Sequence, residues 1–186
     1  MSIIVWSIRI ALLCYVFALT LRLSSSQDSA QRLARFFWTL GLLAYLAHVI
    51  CAFHFHHAWS HTAAYEATAR DTARLLGWGW GGGLYFSYAF TIVWLVDVLW
   101  WCRGLEAYTH RPRVVDIGIQ AFLGFMAFNG AVVFASGPTR WIGIGCCVLL
   151  GAFWLKRRMA KQPLVIDRSS SSAANISIPV SKSNLR

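Results

Sequence analysis

The chain has 186 residues, of which 58% are hydrophobic and only 13% are charged, and its mean hydropathy is +0.54. Because a soluble domain carries about 25% charged residues, this composition excludes an ordinary soluble domain and, outside one tail, intrinsic disorder. The net charge of +10 would suggest nucleic acid in a soluble protein. Here the cations lie between and after apolar runs, so membrane topology explains them and no nucleic-acid partner is expected.

Five apolar segments are long enough to cross a bilayer by helix, which takes about 20 residues. They are predicted at about residues 3–23, 36–57, 82–102, 114–135 and 139–155. Residues 1–158 are therefore predicted to form one all-α integral membrane domain with five transmembrane helices. The lipid bilayer is the expected environment, and the protein is expected to be multi-pass in a cytoplasmic membrane of bacterial type.

The cations divide unequally between the two sides of the five-span arrangement. One side receives Arg22, Arg32, Arg35, Arg103, Arg111, Arg113, Lys156, Arg157, Arg158, Lys161, Arg168, Lys182 and Arg186. The other side receives only Arg70, Arg74 and Arg140, and Arg9 lies inside the first span. Cations are retained in the cytoplasm, so the N-terminus is predicted outside and the C-terminus inside. Tryptophans near both ends of the spans agree with this arrangement.

A cleaved signal peptide is the alternative for the first segment, with residues 10–21 as its apolar region. Two observations disfavour it. Arg9 is the only cation before the apolar region, and cleavage would place the basic tail outside, against the charge rule.

The connection at residues 58–80 is the one long outer loop. Its alanines favour a helix at about residues 61–76, supported by the i,i+4 pair Glu66 and Arg70 and ended by Gly77. A continuation of the second span is the alternative. The glycine-rich stretch that follows, residues 77–83, lacks the strand and helix that a phosphate-binding loop requires.

Five of the six histidines lie within residues 48–61. On a continuous helix, His54, His57 and His61 share one face, and the i,i+4 spacing of the last two suits a shared metal ion. Three imidazoles and water would suit zinc or copper. The alternative is interfacial packing of amphipathic rings beside Phe53 and Trp59. A haem held by His48 and Met126, at matching depth in two spans, is a weaker possibility.

Polar residues inside the spans are functional candidates. Asp97 is expected to lie near the inner end of the third span, either paired with Arg22 or Arg103 or handling protons. The side chains of His48, Cys51, Tyr88 and Asn129 are expected near mid-depth, where they either converge or hydrogen-bond between helices.

Small residues recur on one face of the fourth span (Gly124, Ala127, Ala131) and of the fifth (Gly143, Cys147, Gly151). Such faces let helix backbones approach closely, so an antiparallel hairpin is expected. The five cysteines form no Cys-x-x-Cys pattern, so no disulfide framework or zinc knuckle is expected. Residues 159–186 are basic and Ser-rich and are predicted to form a disordered cytoplasmic tail.

No nucleophile–base pair, phosphate loop or carboxylate pair emerges from the sequence. We therefore favour a small non-enzymatic membrane subunit or scaffold, acting with a membrane protein partner or as a homo-oligomer. The first alternative is an outer-face metal or haem protein for redox work or ion handling. A small transporter is a weaker alternative, since five spans lack the even repeat of common transporters.

Overall fold

The computed structural model of the chain describes residues 2–25 and 27–160. These residues form seven α-helices and one π-helical segment, with no strand among them, which confirms the predicted all-α class. The elements are α1 (Ser2–Ser24), α2 (Asp28–His56), α3 (His61–Leu76), α4 (Gly83–Cys102), α5 (Leu105–Thr109), α6 (Arg113–Phe128), the π segment (Asn129–Val133) and α7 (Pro138–Ala160).

Four helical stretches within the described ranges are long and apolar enough to cross a membrane. They are Ile3–Ser24, Asp28–His56, Gly83–Cys102 and Arg113–Val133. A further helix, Pro138–Phe153, is apolar but shorter. Many exposed side chains on the long helices, such as Ile92 and Ile117, are apolar, as contact with lipid tails requires. These features are those of a multi-pass membrane protein.

The second long helix begins earlier than its apolar segment suggests. Helix α2 starts at Asp28 rather than near residue 36 and has 29 residues, a length of about 43 Å at 1.5 Å per residue. Because the hydrocarbon core is about 30 Å thick, the helix extends beyond it by at least two turns. Asp28 lies in the first turn, where a carboxylate interacts favourably with the helix dipole.

The described part of the chain ends in α7. Residues up to Phe153 form one compact unit, and α7 is helical to Ala160, so the first two residues of the predicted tail are helical. The rest of that predicted disordered tail, residues 161–186, lies outside the described residues.

Aromatic side chains form the centre of the compact unit. Tyr15 of α1, Trp38 of α2 and Trp94 of α4 are almost fully buried, and their ring centroids lie 5.1–5.6 Å apart. Between membrane helices the hydrophobic effect supplies little, so packing must hold the bundle together. Each aromatic pair contributes about 0.5–1.5 kcal/mol beyond area burial, so this cluster helps to hold α1, α2 and α4 together.

Helix α3 is a separate element, as predicted, and not a continuation of α2. Ser60 caps its N-terminus by accepting a hydrogen bond from the backbone N–H of Ala63 at 3.2 Å. Gly77 ends it in the left-handed conformation at φ 79°, which glycine adopts without steric penalty. The predicted bounds, residues 61–76, are therefore confirmed.

The predicted small-residue contact between α6 and α7 is reduced to one point. A β-carbon added at Gly143 would lie 2.5 Å from the carbonyl oxygen of Ala131, so these two backbones touch. By contrast, Cys147 and Gly151 are exposed, and nothing lies within 4 Å of a β-carbon at Gly151. The prediction that α7 packs on α6 through Cys147 and Gly151 is wrong, because the face of α7 that carries these two residues is exposed.

Candidate functional site

A cavity of about 300 Å³ lies between the helices, in the half of the compact unit that adjoins α3. Its wall consists of residues from α1, α2, α3, α4, the end of α6, the π segment and the start of α7. Aromatic side chains make up much of this wall: Tyr15, Tyr45, Tyr88, Phe90 and Trp94. Aliphatic and small residues form most of the rest, so the wall is largely apolar.

Two buried polar atoms on the cavity wall have no hydrogen-bond partner within the described residues: the Tyr15 hydroxyl and Trp94 Nε1. Tyr15 is 4% exposed and Trp94 is 2% exposed, so bulk water does not reach them. An unsatisfied buried donor costs about 1–3 kcal/mol. Packing encloses both atoms so closely that a molecule in the cavity does not touch them, so this cost is borne by the packed core of the protein.

Three other hydroxyls on the cavity wall donate to carbonyl oxygens of their own helices. Ser87 donates to the carbonyl oxygen of Gly83 at 3.3 Å, and Thr91 donates to that of Ser87 at 2.8 Å. Thr68 in α3 follows the same i→i−4 pattern, at 2.9 Å.

Packing fixes the orientation of the Trp94 ring. Its centroid lies 5.4 Å from those of Trp38 and Phe90, and 6.0 Å from that of Tyr45. A ring held on several sides cannot rotate its N–H toward a distant acceptor without disturbing the core. The indole N–H of Trp94 therefore stays without an acceptor as long as the core remains packed.

A π-helical segment forms part of the cavity wall. The backbone N–H of Phe134 bonds to the carbonyl oxygen of Asn129 at 2.9 Å, five residues earlier, and Gly130 and Ala131 line the cavity. Single π turns inside α-helices are frequent at functional sites. Sequence periodicity gives no signal for this change of helical pitch, so it was missed.

Two of the predicted buried polar residues, His48 and Tyr88, line the same cavity, as does Met126. The Nδ1 atom of His48 lies 2.9 Å from the backbone carbonyl oxygen of Ile4, so this ring joins α2 to α1. Asn129 is not on the cavity wall and donates to the carbonyl oxygen of Phe125 in its own helix, at 2.8 Å. The convergence of mid-depth polar groups is thus partial.

Asp97 belongs to a second site at the opposite end of the bundle, which we call the ionic network: Arg22, Asp97, Arg111 and Asp116. The carboxylate of Asp97 is fully buried and forms an ion pair with Arg111. It also accepts hydrogen bonds from Trp38 Nε1 at 2.9 Å and from the Tyr108 hydroxyl at 3.1 Å. A buried carboxylate with this many donors is well compensated.

The network continues from Arg111 to α6 and α1. Arg111 also pairs with Asp116, and Asp116 accepts from Arg22 at 2.5 Å. Two arginines and two aspartates make the network neutral overall, which lowers the cost of placing it against the apolar core. The guanidinium carbons of Arg22 and Arg111 also lie 5.2 and 4.1 Å from the centroid of the Tyr108 ring, which is within cation–π range.

The short helix α5 brings Tyr108 and Arg111 under α4. Gly104, at φ 142°, allows the chain to turn back, and the Tyr108 ring then stacks on Trp101 with centroids 4.3 Å apart. Burial raises the pKa of the Tyr108 hydroxyl, so it stays protonated and donates to Asp97. Burial opposes the charge on Arg111, but hydrogen bonds to Asp97 and Asp116 outweigh it and raise its pKa.

The partner of Asp97 differs from the two that the sequence suggested. Arg22 pairs with Asp116, and Arg103 is exposed at the end of α4, whereas Arg111 reaches Asp97. The reason is the turn at Gly104, which returns the chain to the bundle. Arg111 was interpreted as a loop cation. Arg111 differs from Arg113 because α5 folds back under α4 and brings Arg111 into the bundle. Hydropathy does not reveal this fold-back.

The predicted zinc or copper ligands do not come together. Helix α2 ends at His56 and α3 begins at His61, and Ala58 and Trp59 between them have positive φ angles of 45° and 60°. The assumption that His54, His57 and His61 share one continuous helical face is therefore wrong. No cluster of three potential metal-ligating side chains occurs among residues 2–25 and 27–160.

The three histidines contact aromatic residues instead. His54 Nδ1 accepts from Trp59 Nε1 at 3.3 Å, and the His61 ring lies 6.0 Å from that of Tyr88. Burial, and then the positive charges of His56 and Arg70, lower the pKa of His57. These contacts support the alternative interpretation, in which the rings pack at an interface.

The chain matches no family model, and searches among curated proteins and solved structures returned no match. A fold by itself does not define a function. What this protein does must therefore follow from the cavity and from the ionic network.

Proposed function

We propose that this chain is a membrane binding protein that holds a lipid-soluble small molecule in the cavity beside α3. The observation that carries the proposal is the cavity itself, of about 300 Å³, whose wall is largely apolar and also holds the polar side chains of His48 and Tyr88.

The size of the cavity supports this proposal. Ligand pockets range from about 300 to 1,000 Å³, and an apolar cavity of about 150 Å³ binds benzene. A volume of about 300 Å³ therefore suits a molecule of one substituted ring or a short branched chain. The aromatic wall and the few polar groups match the general pattern of small-molecule sites, in which polar atoms set orientation.

This function is a specific form of the non-enzymatic membrane subunit that the sequence favours. We further propose the five-span arrangement, with α7 as the fifth crossing, the N-terminus outside and the C-terminus in the cytoplasm of a bacterial-type cell. The division of cations supports it, and it places the ionic network at the cytoplasmic end and the cavity in the outer half.

Reporter fusions test this topology. A reporter after Arg186 is expected inside and one between Trp59 and Ser60 outside. If both reporters lay on the same side, the number of crossings between them could not be three, as proposed. A reporter after Arg186 found outside would show that the orientation is the reverse of the proposed one.

Native mass spectrometry of the protein, extracted in mild detergent, tests ligand binding directly. We expect a non-covalent adduct that Ala127→Leu removes, because Ala127 lines the cavity and leucine fills it. Ala121→Leu, an identical change on the exposed face of α6, is the matched control. Ala52→Leu fills the cavity from α2 and replaces Ala127→Leu if that variant unfolds. Adducts that survive filling, or a wild-type protein without any adduct, would contradict the proposal.

A further inference from the structure

An arginine lies inside the first membrane-spanning helix, next to the cavity. Arg9 follows Ser2, the first residue of α1, by seven positions, which is about 10 Å along the helix. Its Nε atom donates a hydrogen bond to the hydroxyl of Thr139 at 3.1 Å, and Thr139, at the start of α7, lines the cavity. The guanidinium group of Arg9 therefore adjoins the edge of the cavity.

Arg9 has no acidic partner in the part of the chain that the structure describes. The ion pairs there are formed by four other arginines: Arg22, Arg70, Arg74 and Arg111. A guanidinium has five N–H donors, and only the one on Nε donates to another described residue. The Trp6 ring, 5.3 Å from the guanidinium carbon, gives a cation–π contact but no negative charge. Because a cation inside a membrane span is costly without a counter-charge, an anion from outside the chain would stabilise it.

The cavity suits the apolar part of such an anion. Its wall is largely apolar, and none of the described residues that line it is Asp or Glu, so the wall itself does not repel an anion and offers a cation no carboxylate. Ile8 and Leu12, which flank Arg9 in α1, both belong to this wall. An apolar chain in the cavity would therefore lie against α1, with its charged end beside Arg9.

We infer that the ligand is an acidic amphiphile, whose carboxylate or phosphate group binds the Arg9 guanidinium and whose apolar chain enters the cavity. This inference rests on the proposed binding function and names the ligand class. The fork of guanidinium N–H donors matches both kinds of oxyanion. The two sources are a free fatty acid and a single-chain lipid phosphate, which share an oxyanion on an apolar chain.

Probes of one chain length separate the charged group from the apolar chain: octanoate, octyl phosphate, octanol and octylammonium. Binding to the purified full chain in uncharged, lipid-free detergent is followed by native mass spectrometry and by tryptophan fluorescence, since Trp94 lines the cavity. We expect octanoate or octyl phosphate to bind about tenfold more tightly than octanol, the effect of one charge-assisted hydrogen bond, and octylammonium not to bind. The tighter of the two anions identifies the source that the site prefers.

Removal of one charge isolates the contact with the headgroup. Arg9→Gln keeps a polar side chain and is expected to weaken binding of the anionic probe about tenfold, while its effect on octanol should be negligible. Arg9→Lys keeps the charge as a point charge and should recover part of the affinity. Arg140→Gln is the matched control, because Arg140 follows Thr139 directly but is exposed and donates to the carbonyl oxygen of Val132 at 2.8 Å.

The outcomes distinguish this inference from the proposed function. If Ala127→Leu or Ala52→Leu abolishes binding but Arg9→Gln binds octanoate and octyl phosphate as the wild type does, the binding function stands and the inference of an acidic ligand fails. Equal affinity for octanol and both anions, tight binding of octylammonium, or an equal loss in Arg140→Gln would also overturn it. Probes that bind equally to the filled variants would overturn the proposed function itself, because Arg9 would then only reach headgroups of the surrounding lipid.

Discussion

The substitution Asp97→Ala is expected to be among the most destabilising single changes in this protein. It removes the acceptor of Trp38 Nε1 and of the Tyr108 hydroxyl, and it removes one of the two anions paired with Arg111. Both members of the Asp97–Arg111 pair have side chains less than 3% exposed. Water therefore cannot replace what is lost.

The expected magnitude follows from that burial. Breaking a buried ion pair by removing one partner costs about 3–5 kcal/mol, and an orphaned indole N–H alone costs about 1–3 kcal/mol. These contributions overlap, and Asp116 still pairs with Arg111. We expect a loss of about 4 kcal/mol in the free energy of unfolding, and about half of that for Asp97→Asn, which keeps the shape and one acceptor.

Equilibrium unfolding in mixed detergent micelles, followed by tryptophan fluorescence, measures the effect. The control is Asp71→Ala, which removes an exposed ion pair with Arg74 and should cost less than about 0.5 kcal/mol. In a double-mutant cycle, Asp97→Ala with Arg111→Ala should cost clearly less than the sum of the single changes. If Asp97→Ala were as mild as Asp71→Ala, or if the cycle showed no coupling, the assignment of Arg111 as its buried partner would be refuted.

Three further expectations can be checked independently. Gly143→Leu should lower the melting temperature in detergent, because its β-carbon meets the Ala131 carbonyl at 2.5 Å, whereas Gly151→Leu should not; equal melting of the two variants would contradict the single contact point. Gly77→Ala should destabilise α3 by about 1 kcal/mol through its left-handed backbone, seen as faster hydrogen exchange confined to that helix. Because the pKa of His57 is lowered, the folded state binds fewer protons than the unfolded state. A small part of the free energy of unfolding should therefore be present above pH about 6.5 and lost as the pH falls below it. His57→Gln should remove this pH-dependent part, and a pH profile of stability identical to that of the wild type would contradict the expectation.

The sequence predicted well whatever depends on long apolar runs and on local capping. The bounds of α3 followed from alanine content and from Gly77, and the long helices followed from hydropathy, because the bilayer imposes length and apolarity directly. The start of α2 at Asp28 was missed because its first two turns are polar. Hydropathy identifies the part of a helix inside the membrane and not the whole helix.

The two sites depended on features that a linear pattern does not contain. Asp97 and His48 were recognised as candidates because polar groups inside spans are costly, but the partners Arg111 and Tyr108 depend on the fold-back at Gly104. The cavity forms where neighbouring side chains leave space unfilled, and that is set by the packing of seven elements at once. One signal was available: Trp94 is the only tryptophan far from both ends of its span.

The ionic network also has a consequence for the biogenesis of the protein. During synthesis Asp97 emerges before Arg111, which follows 14 residues later. Until then, α4 carries an unpaired carboxylate near one end of the helix, where a charge costs less than the about 2.5–3.5 kcal/mol of the helix centre but is still unfavourable. Arg111 neutralises this carboxylate when the following segment arrives. The stable insertion of α4 is therefore expected to depend on the segment that leads into α6, so that α4 and α6 settle in the bilayer as a paired hairpin.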